Sequence, residues 1–466
     1  MIDENPERAA VASLVARARA AQAAYERCSQ AEVDEVVTAA GWAIIKPQNN
    51  RRLAERAVAD TGLGNVPDKI AKNERKTLGL LRDLQGAKSV GVIAEHPQLG
   101  LVEIARPAGV VAAITPSTNP GATPANKIIN ALKGRNAVIV APSPKGWSTC
   151  ALLLEFIHEQ LEKIQASADL VQMLPAPVTK SSTLELMRQC DLVVATGSQA
   201  NVRAAYASGT PAFGVGLGNV AVIIDASADL ADAARKIAES KTFDNATSCS
   251  SENAVVILDA VYPDMLAELS KAGGALLDGQ EKRRLQAAMW PSGKLSADVM
   301  ARPVEHILQV AGIAPRPAKF LMVEETGVGK DSPFSGEKLS LVLTVYKARS
   351  FDEAFDTVRR IYAYQGAGHS VGIHTRDEAQ IMRLGFEMPA ARVIVNQAHA
   401  IATGGAFDNG LPFSLSMGCG TWGRNSISEN LSYRHYLNIT RIVRPIPARV
   451  PTVEGLFGDY FRKHGR

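Results

Sequence analysis

Cys249 is the residue of this chain best suited to covalent chemistry. It lies in the run 241–253, whose members are mostly small and polar, and a strand-like segment, 254–258, follows immediately. Small neighbours leave room for a substrate carbon, and nearby backbone amides can stabilise a thiolate. A cysteine chosen at random is more often a buried structural residue, so this interpretation depends on what the rest of the chain contains.

Two predicted strand-to-helix turns could bind the other reactants. The turn 115–120 follows a strand, and its Asn119 carboxamide could donate a hydrogen bond to an oxyanion. Gly197 and Ser198 close another strand and open a helix, whose first backbone N–H groups form a natural pyrophosphate site. Each turn taken alone is more often an ordinary connection between a strand and a helix. The prediction of a binding site therefore depends on the two turns occurring together with Cys249.

Glycine and histidine patterns elsewhere do not complete a known site. The run 214–218 has G-x-G-x-G spacing and precedes a strand, whereas the Rossmann fingerprint follows one. The run 327–332 resembles the end of a P-loop, but Glu324 stands where its first glycine is required. His369 and His374 have no third ligand nearby in the sequence, so no metal site is predicted.

The composition indicates a globular protein of more than one domain. The chain has 466 residues, 46% of them hydrophobic and 21% charged, and its net charge of +4 is spread along the sequence. Nucleic acid is therefore not an expected partner, and no apolar run reaches the roughly 18–20 residues of a membrane span. The five cysteines form no C-x-x-C pair, which indicates a reducing compartment. Because the acidic start resembles no signal peptide and leaves no spare targeting extension, we expect a cytoplasmic enzyme.

The hydrophobic periodicity predicts an α/β fold. Residues 6–46 read as a helix pair, 66–87 as a further helix and 89–106 as a hairpin. From residue 108 strands alternate with helices, which predicts a parallel sheet of the kind that binds dinucleotides. The predicted strands are 109–114, 137–141, 168–174, 191–195 and 220–225, and the helices between them are 122–132, 147–164, 181–189 and 200–207. A second alternating region spans 242–430, and 436–443 is predicted to be a strand that pairs with a partner subunit.

The order and spacing of these motifs resemble the aldehyde dehydrogenase superfamily over nearly the whole chain. The matching runs are 59–64, 68–70, 107–120, 196–198, 241–253, 337–340 and 419–430. In the hydrolytic branch a glutamate lies about 34 residues before the nucleophile and activates water, but the corresponding residue here is Val215. The runs 211–219, 242–245, 333–340 and 368–370 resemble the CoA-acylating branch instead.

The resemblance implies a Rossmann-type cofactor domain (1–88 and 107–241), an α/β catalytic domain (242–430) and a small oligomerisation flap with a tail (89–106 and 431–466). It implies an NAD- or NADP-dependent acylating aldehyde dehydrogenase that converts a small aldehyde and coenzyme A into an acyl-CoA through a thioester on Cys249, and that also runs in reverse. A homodimer or homotetramer is expected.

The resemblance also implies roles for individual residues. Asn119 and the Cys249 backbone N–H would hold the oxyanion, and His369 would act as a polar group near the acyl carbon, or else be a structural histidine. Glu337 matches the glutamate that holds the nicotinamide ribose. The other residues assigned to the cofactor are Thr115, Pro116, Ser143, Gly197 and Ser198.

The choice of aldehyde and of cofactor stays open. Arg424 stands where a small residue is commoner in the superfamily, which favours an anionic aldehyde such as sulfoacetaldehyde or succinate semialdehyde. Arg424 could equally contact a subunit or the CoA phosphates. Lys145 or Ser143 could meet the 2′-phosphate of NADP. A hydrolytic dehydrogenase and a non-catalytic structural relative are the alternative functions.

Overall fold

The computed structural model describes residues 6–216 and 218–466. The helices are α1 (Pro6–Tyr25), α2 (Gln30–Ile45), α3 (Pro47–Thr61), α4 (Val66–Leu84), α5 (Ala122–Lys133), α6 (Trp147–Lys163), α7 (Lys180–Gln189), α8 (Gln199–Ala207), α9 (Leu230–Thr242), α10 (Tyr262–Lys271), α11 (Gly279–Met289), α12 (Val304–Val310), α13 (Phe351–Tyr364), α14 (Glu378–Glu387), α15 (His399–Ala402) and α16 (Val453–His464). None of the helices in this part of the chain is long and apolar enough to cross a membrane.

The strands form three sheets. They are β1 (Gly91–His96), β2 (Leu101–Pro107), β3 (Val110–Thr115), β4 (Ala137–Pro142), β5 (Val171–Met173), β6 (Leu192–Thr196), β7 (Ala212–Val215), β8 (Val220–Ile224), β9 (Glu252–Leu258), β10 (Gly274–Leu276), β11 (Phe320–Glu324), β12 (Val342–Ala348), β13 (Val371–His374), β14 (Val393–Val395) and β15 (Leu437–Val443). The orders are β1-β2-β15, β5-β4-β3-β6-β7 and β10-β11-β12-β9-β8-β13-β14.

The five-stranded sheet is parallel and lies at the centre of the first half of the chain. All residues of β3 and β4 are buried, and such continuous apolar runs are typical of strands that are covered on both faces. The predicted helix pair forms as α1 and α2. α1 packs against β3, β4 and β5, α2 packs against α5 and α6, and Ser29 begins α2 with a capping box. The predicted strand 168–174 is shorter than expected, because the 3₁₀ turn Ala168–Leu170 occupies its first half.

The second sheet has seven parallel strands and corrects one prediction. Sequence analysis grouped 220–225 with the first sheet, but β8 pairs with β9 and β13 in the second. Only residues 216–219 separate β7 from β8. A parallel neighbour in the same sheet requires a crossover of about a dozen residues or more, so the chain passes instead into the next sheet.

The small antiparallel sheet joins the predicted hairpin and the predicted C-terminal strand. The hairpin at 89–106 forms as β1 and β2, and β15 lies beside it. β15 pairs with β2 of the same chain, from Leu437 opposite Pro107 to Val443 opposite Leu101, and it is an edge strand of this sheet, so the pairing with a partner subunit stays a prediction for its other edge. The alternation of β15 predicted a strand correctly, but a strand pattern does not specify which edge it joins.

Candidate active site

Cys249 lies in a turn between the two large sheets. The 3₁₀ turn Phe243–Ala246 precedes it, and β9 begins three residues later. A Cβ atom at position 218 would overlap with the backbone carbonyl of Cys249, so glycine is required there. The thiol is partly buried. Burial, followed by the nearby charge of Glu337, raises the pKa of Cys249 to about 12.

A chain of buried hydrogen-bonding groups leads away from this thiol. Cys249 Sγ is 3.4 Å from His369 Nε2, and His369 Nδ1 is 2.7 Å from Ser370 Oγ. Ser370 Oγ is in turn 2.8 Å from His399 Nε2. Burial, followed by the positive charge of Arg392, lowers the pKa of His369 to about 3. His369 is therefore a neutral imidazole that can exchange a proton with the thiol.

Asn119 is connected through Lys72 to the turn that contains Cys249. The Lys72 ammonium donates to Asn119 Oδ1 at 2.7 Å and to Thr247 Oγ1 at 3.1 Å, and Thr247 lies two residues before Cys249. It also pairs with Asp244 at 2.5 Å. Although burial acts to raise it, the charges of Lys72 and Lys69 keep the pKa of Asp244 below its ordinary value. Asp244 is therefore ionised.

Sequence reasoning missed Lys72. Its signal was present, because Lys69 and Lys72 follow each other at helical spacing on a face of α4 that also contains Leu80 and Leu84. A buried lysine on an apolar helix face must have polar partners. Sequence analysis included Ser370 in the run 368–370 but assigned it no role. His399 was not predicted, because it is distant in the sequence and adjacent to Ser370 only in the fold.

A cavity of about 540 Å³ opens at the carboxyl ends of β3 and β4. Four residues assigned to the cofactor line it: Thr115, Pro116, Ser143 and Ser198. Ser198 caps α8, so the N-terminus of that helix faces the cavity and offers N–H groups without acceptors inside the helix. Thr115 Oγ1 is buried without a hydrogen-bond partner among the described residues. The carboxyl edge of a parallel sheet with an unpaired hydroxyl fits a nicotinamide dinucleotide.

The two remaining residues assigned to the cofactor, Gly197 and Glu337, are not among those that line this cavity. Gly197, next to Ser198, has a φ of 141°, which residues with a side chain rarely adopt, so the turn into α8 favours glycine. The Glu337 carboxylate accepts a hydrogen bond from the Gly218 backbone N–H, and burial raises the pKa of Glu337 to about 8. Glu337 does not line the cavity itself but lies on the side of Cys249.

Arg424 lies on the surface next to the site. Its side chain is exposed, and its guanidinium makes no ion pair or hydrogen bond with any residue that the structure describes. The backbone has a left-handed φ of 56°. The preceding Gly423 packs against the carbonyl of Ala367, two residues before His369. Within 6–216 and 218–466, no group of three or more histidine, cysteine or acidic side chains could hold a metal ion.

Comparison with known proteins agrees with this arrangement. The sequence profile described as "Aldehyde dehydrogenase family" matches residues 4–288. A protein of Cupriavidus necator named sulfoacetaldehyde dehydrogenase (acylating) is 64% identical over 461 residues, which cover 98% of this chain and 93% of the relative. A succinate-semialdehyde dehydrogenase (acetylating) of Clostridium kluyveri is 37% identical over 96% of this chain and 99% of its own.

A solved structure agrees as well. An acetylating aldehyde dehydrogenase from Geobacillus thermoglucosidasius has a TM-score of 0.92 and 36% identity, over 96% of this chain and 99% of that one. The α/β fold and the resemblance predicted from the sequence are confirmed, and the chain belongs to the aldehyde dehydrogenase family.

Proposed function

We propose that this chain is an acylating aldehyde dehydrogenase that converts an anionic aldehyde, coenzyme A and NAD(P)⁺ into an acyl-CoA, NAD(P)H and a proton, and that catalyses the reverse reduction. The observation that carries this proposal is the contact between the Cys249 thiol and the neutral imidazole of His369, 3.4 Å apart. The two groups can exchange a proton, and the same chain has a cavity at the carboxyl ends of β3 and β4 that fits a dinucleotide.

The first half of the reaction forms a carbon–sulfur bond. The Cys249 thiol gives its proton to His369 Nε2 as the sulfur attacks the aldehyde carbon, because neither group is charged at rest. The carbonyl oxygen becomes an oxyanion that the Asn119 amide stabilises. A bound nicotinamide dinucleotide would accept the hydride of this tetrahedral adduct, which leaves an acyl thioester on Cys249.

The second half transfers the acyl group. His369 passes its first proton to solvent and then accepts the proton of the CoA thiol, whose sulfur attacks the thioester carbon. The Cys249 sulfur leaves as the acyl-CoA forms and takes this second proton back from His369, which restores the neutral thiol and imidazole. Ser370 Oγ, 2.7 Å from His369 Nδ1, holds the ring so that Nε2 faces Cys249 in both halves. Because one thioester replaces another, the free-energy change of this step is close to zero. The overall reaction is therefore reversible.

The environment of Val215 supports transfer to CoA over hydrolysis. Val215 lies in β7, is 4% exposed and carries no group that could activate water. Glu337 is the carboxyl group near Cys249, but its raised pKa of about 8 keeps most of it protonated at neutral pH. The hydrogen bond that Glu337 accepts from the Gly218 backbone N–H is compatible with the cofactor role assigned to Glu337.

An anionic aldehyde is supported by two independent observations. The relatives at 64% and 43% identity are both named sulfoacetaldehyde dehydrogenase (acylating), and the one at 37% is named for succinate semialdehyde. The exposed Arg424 has no partner within the described residues and could bind a sulfonate or carboxylate through two hydrogen bonds. We propose sulfoacetaldehyde as the substrate. Ser143, which lines the cavity, is the contact that would distinguish NADP from NAD.

The proposal is tested by following cofactor reduction with sulfoacetaldehyde, with and without CoA, using NAD⁺ and NADP⁺ in turn. Multiple turnovers should require CoA, and sulfoacetyl-CoA should accumulate. Cys249→Ser should abolish both this reaction and reduction of sulfoacetyl-CoA, because an alcohol is a far weaker nucleophile than a thiolate. Free sulfoacetate formed equally fast without CoA would support the hydrolytic alternative, and activity of Cys249→Ser within tenfold would contradict the covalent route.

We further propose that the enzyme is a cytoplasmic homodimer or homotetramer. All five cysteines are free, which agrees with a reducing compartment. The tail helix α16 has no buried residue, and it exposes Leu456, Phe457 and Tyr460. Apolar side chains at this density are typical of a surface that a second subunit covers. Sedimentation at micromolar concentration should give the mass of at least two chains, and a purely monomeric species would contradict this proposal.

A further inference from the structure

The helix α4 carries a buried basic stripe beside the proposed oxyanion site. Lys69, Lys72 and Lys76 are all less than 7% exposed, and each is directed at polar groups of another segment. Burying an ammonium group is costly unless it is paired and hydrogen-bonded. In some proteins a buried charged group is retained because it fixes the position of another group.

The partners of Lys72 determine how the Asn119 carboxamide is turned. An ammonium group has three donors and no acceptor. The three donors of Lys72 have three acceptors: Asn119 Oδ1 at 2.7 Å, Asp244 Oδ2 at 2.5 Å and Thr247 Oγ1 at 3.1 Å. Only the oxygen of the Asn119 amide can therefore face Lys72. The amide NH₂ must point to the opposite side, where it is free to donate to a substrate oxygen.

Asp244 holds the ammonium in this position. Its carboxylate is completely buried and also accepts from Lys69 Nζ at 3.1 Å and from the Asn65 backbone N–H at 3.0 Å. The Asp244 backbone is left-handed, with a φ of 51°. A Cβ atom on Gly64 would overlap with this carboxylate, which explains a glycine in the run 59–64. Residues 64–72 and the run around Asp244 thus meet at one buried carboxylate.

We propose that Lys72, anchored by Asp244, is a positioning residue that orients the Asn119 amide for donation to the oxyanion. The inference rests on the proposed role of Asn119 in the acylating reaction. Lys72 itself does not touch the reacting atoms. It removes the alternative amide orientation, in which Asn119 would present an oxygen to a developing negative charge and repel it. Preorganised donors of this kind account for much of the stabilisation of an oxyanion.

A double-mutant cycle on the full-length enzyme tests the inference, with pre-steady-state NADH formation from sulfoacetaldehyde as the readout. Asn119→Ala should slow hydride transfer by roughly 10²–10³-fold. Lys72→Met should slow it by about 10- to 100-fold, without a change in the Kd of NAD⁺. Because Lys72 acts through Asn119, the double variant should be no slower than Asn119→Ala within about threefold.

Lys69→Met is the matched control, because Lys69 also pairs with Asp244 and reaches the Thr118 carbonyl at 3.5 Å but not the Asn119 amide. It should slow hydride transfer by less than about threefold. Thr247→Val gives a milder test if Lys72→Met does not fold, since it removes one of the three acceptors of Lys72. Its loss, about three- to tenfold, should likewise disappear in the Asn119→Ala background.

The outcomes separate two kinds of failure. If Asn119→Ala leaves hydride transfer unchanged, the proposed oxyanion role of Asn119 fails. If Asn119→Ala is slow but Lys72→Met is no slower than Lys69→Met, the oxyanion role stands and the positioning role of Lys72 is overturned. The positioning role would also be overturned if the rate losses of Lys72→Met and Asn119→Ala multiplied in the double variant. Multiplying losses would mean that the two residues act independently.

Discussion

The protonation state of the free Cys249 thiol can be measured directly. Burial, followed by the charge of Glu337, raises its pKa from the ordinary 9.0 to about 12. Each pKa unit changes the thiolate fraction tenfold at a pH well below the pKa. At pH 8 about 10⁻⁴ of the molecules should carry a thiolate, compared with about 10⁻¹ for a thiol at its ordinary value. The reactivity of Cys249 toward alkylating reagents should therefore be low at pH 8 and should rise with pH.

The expected rate of alkylation follows from two opposing effects. The thiolate fraction at pH 8 is about 10³-fold lower than for an ordinary cysteine. A more basic thiolate is intrinsically more nucleophilic, with a Brønsted slope of about 0.4–0.5. A pKa that is three units higher therefore increases the rate constant of the thiolate by about 25-fold. The net expectation is alkylation about 40-fold slower than that of an ordinary exposed thiol at the same pH.

The assay is alkylation by iodoacetamide between pH 7 and pH 10, with each cysteine quantified by peptide mass spectrometry. The Cys249 rate should rise about tenfold per pH unit across this whole range. Free N-acetylcysteine in the same reaction is the reference for an ordinary thiol, because burial also raises the pKa of Cys28. A plateau of the Cys249 rate below pH 9 would refute the reasoning, because it would mean that the free site already stabilises a thiolate.

Two further predictions concern the acyl-enzyme and the substrate. Val215→Glu should shorten the lifetime of the acyl-enzyme in the absence of CoA, since it supplies a carboxylate that could activate water, while the Val215→Gln control should not. Equal lifetimes by mass spectrometry in both variants and the parent would contradict the proposed reason for CoA dependence. Arg424→Gly should lose about tenfold or more in kcat/KM for sulfoacetaldehyde, since each charged hydrogen bond contributes about 1.5–3 kcal/mol, with little change for propanal. The left-handed φ of 56° suits glycine, so Tm should not fall, and equal losses for both aldehydes would assign Arg424 a structural role.

The sequence predicted those features that depend on local pattern. The buried strands β3, β4 and β6 were predicted to within a residue or two at their ends, because continuous apolar runs between turn residues are typical of parallel strands. The proposal that Cys249 is the nucleophile and the prediction of the acylating branch also came from the sequence, since a cysteine among small residues and the valine at 215 are properties of the sequence itself.

Only the tertiary structure decided which segments meet. The periodicity of 220–225 predicted a strand, but the shortness of the connection before it sent β8 into the second sheet. The strand β15 likewise joined the hairpin of its own chain. A period of two specifies the two faces of a strand and says nothing about its neighbours.

The same holds for the chemistry around Cys249. The sequence motifs suggested Cys249 and Asn119 separately as site residues, but they could not reveal that Lys72 links Asn119 to Thr247 in the turn before Cys249. Nor could it reveal that His369 reaches the thiol. Hydrogen bonds act over about 3 Å, and residues more than a hundred positions apart reach that distance only when the sheets and helices have packed.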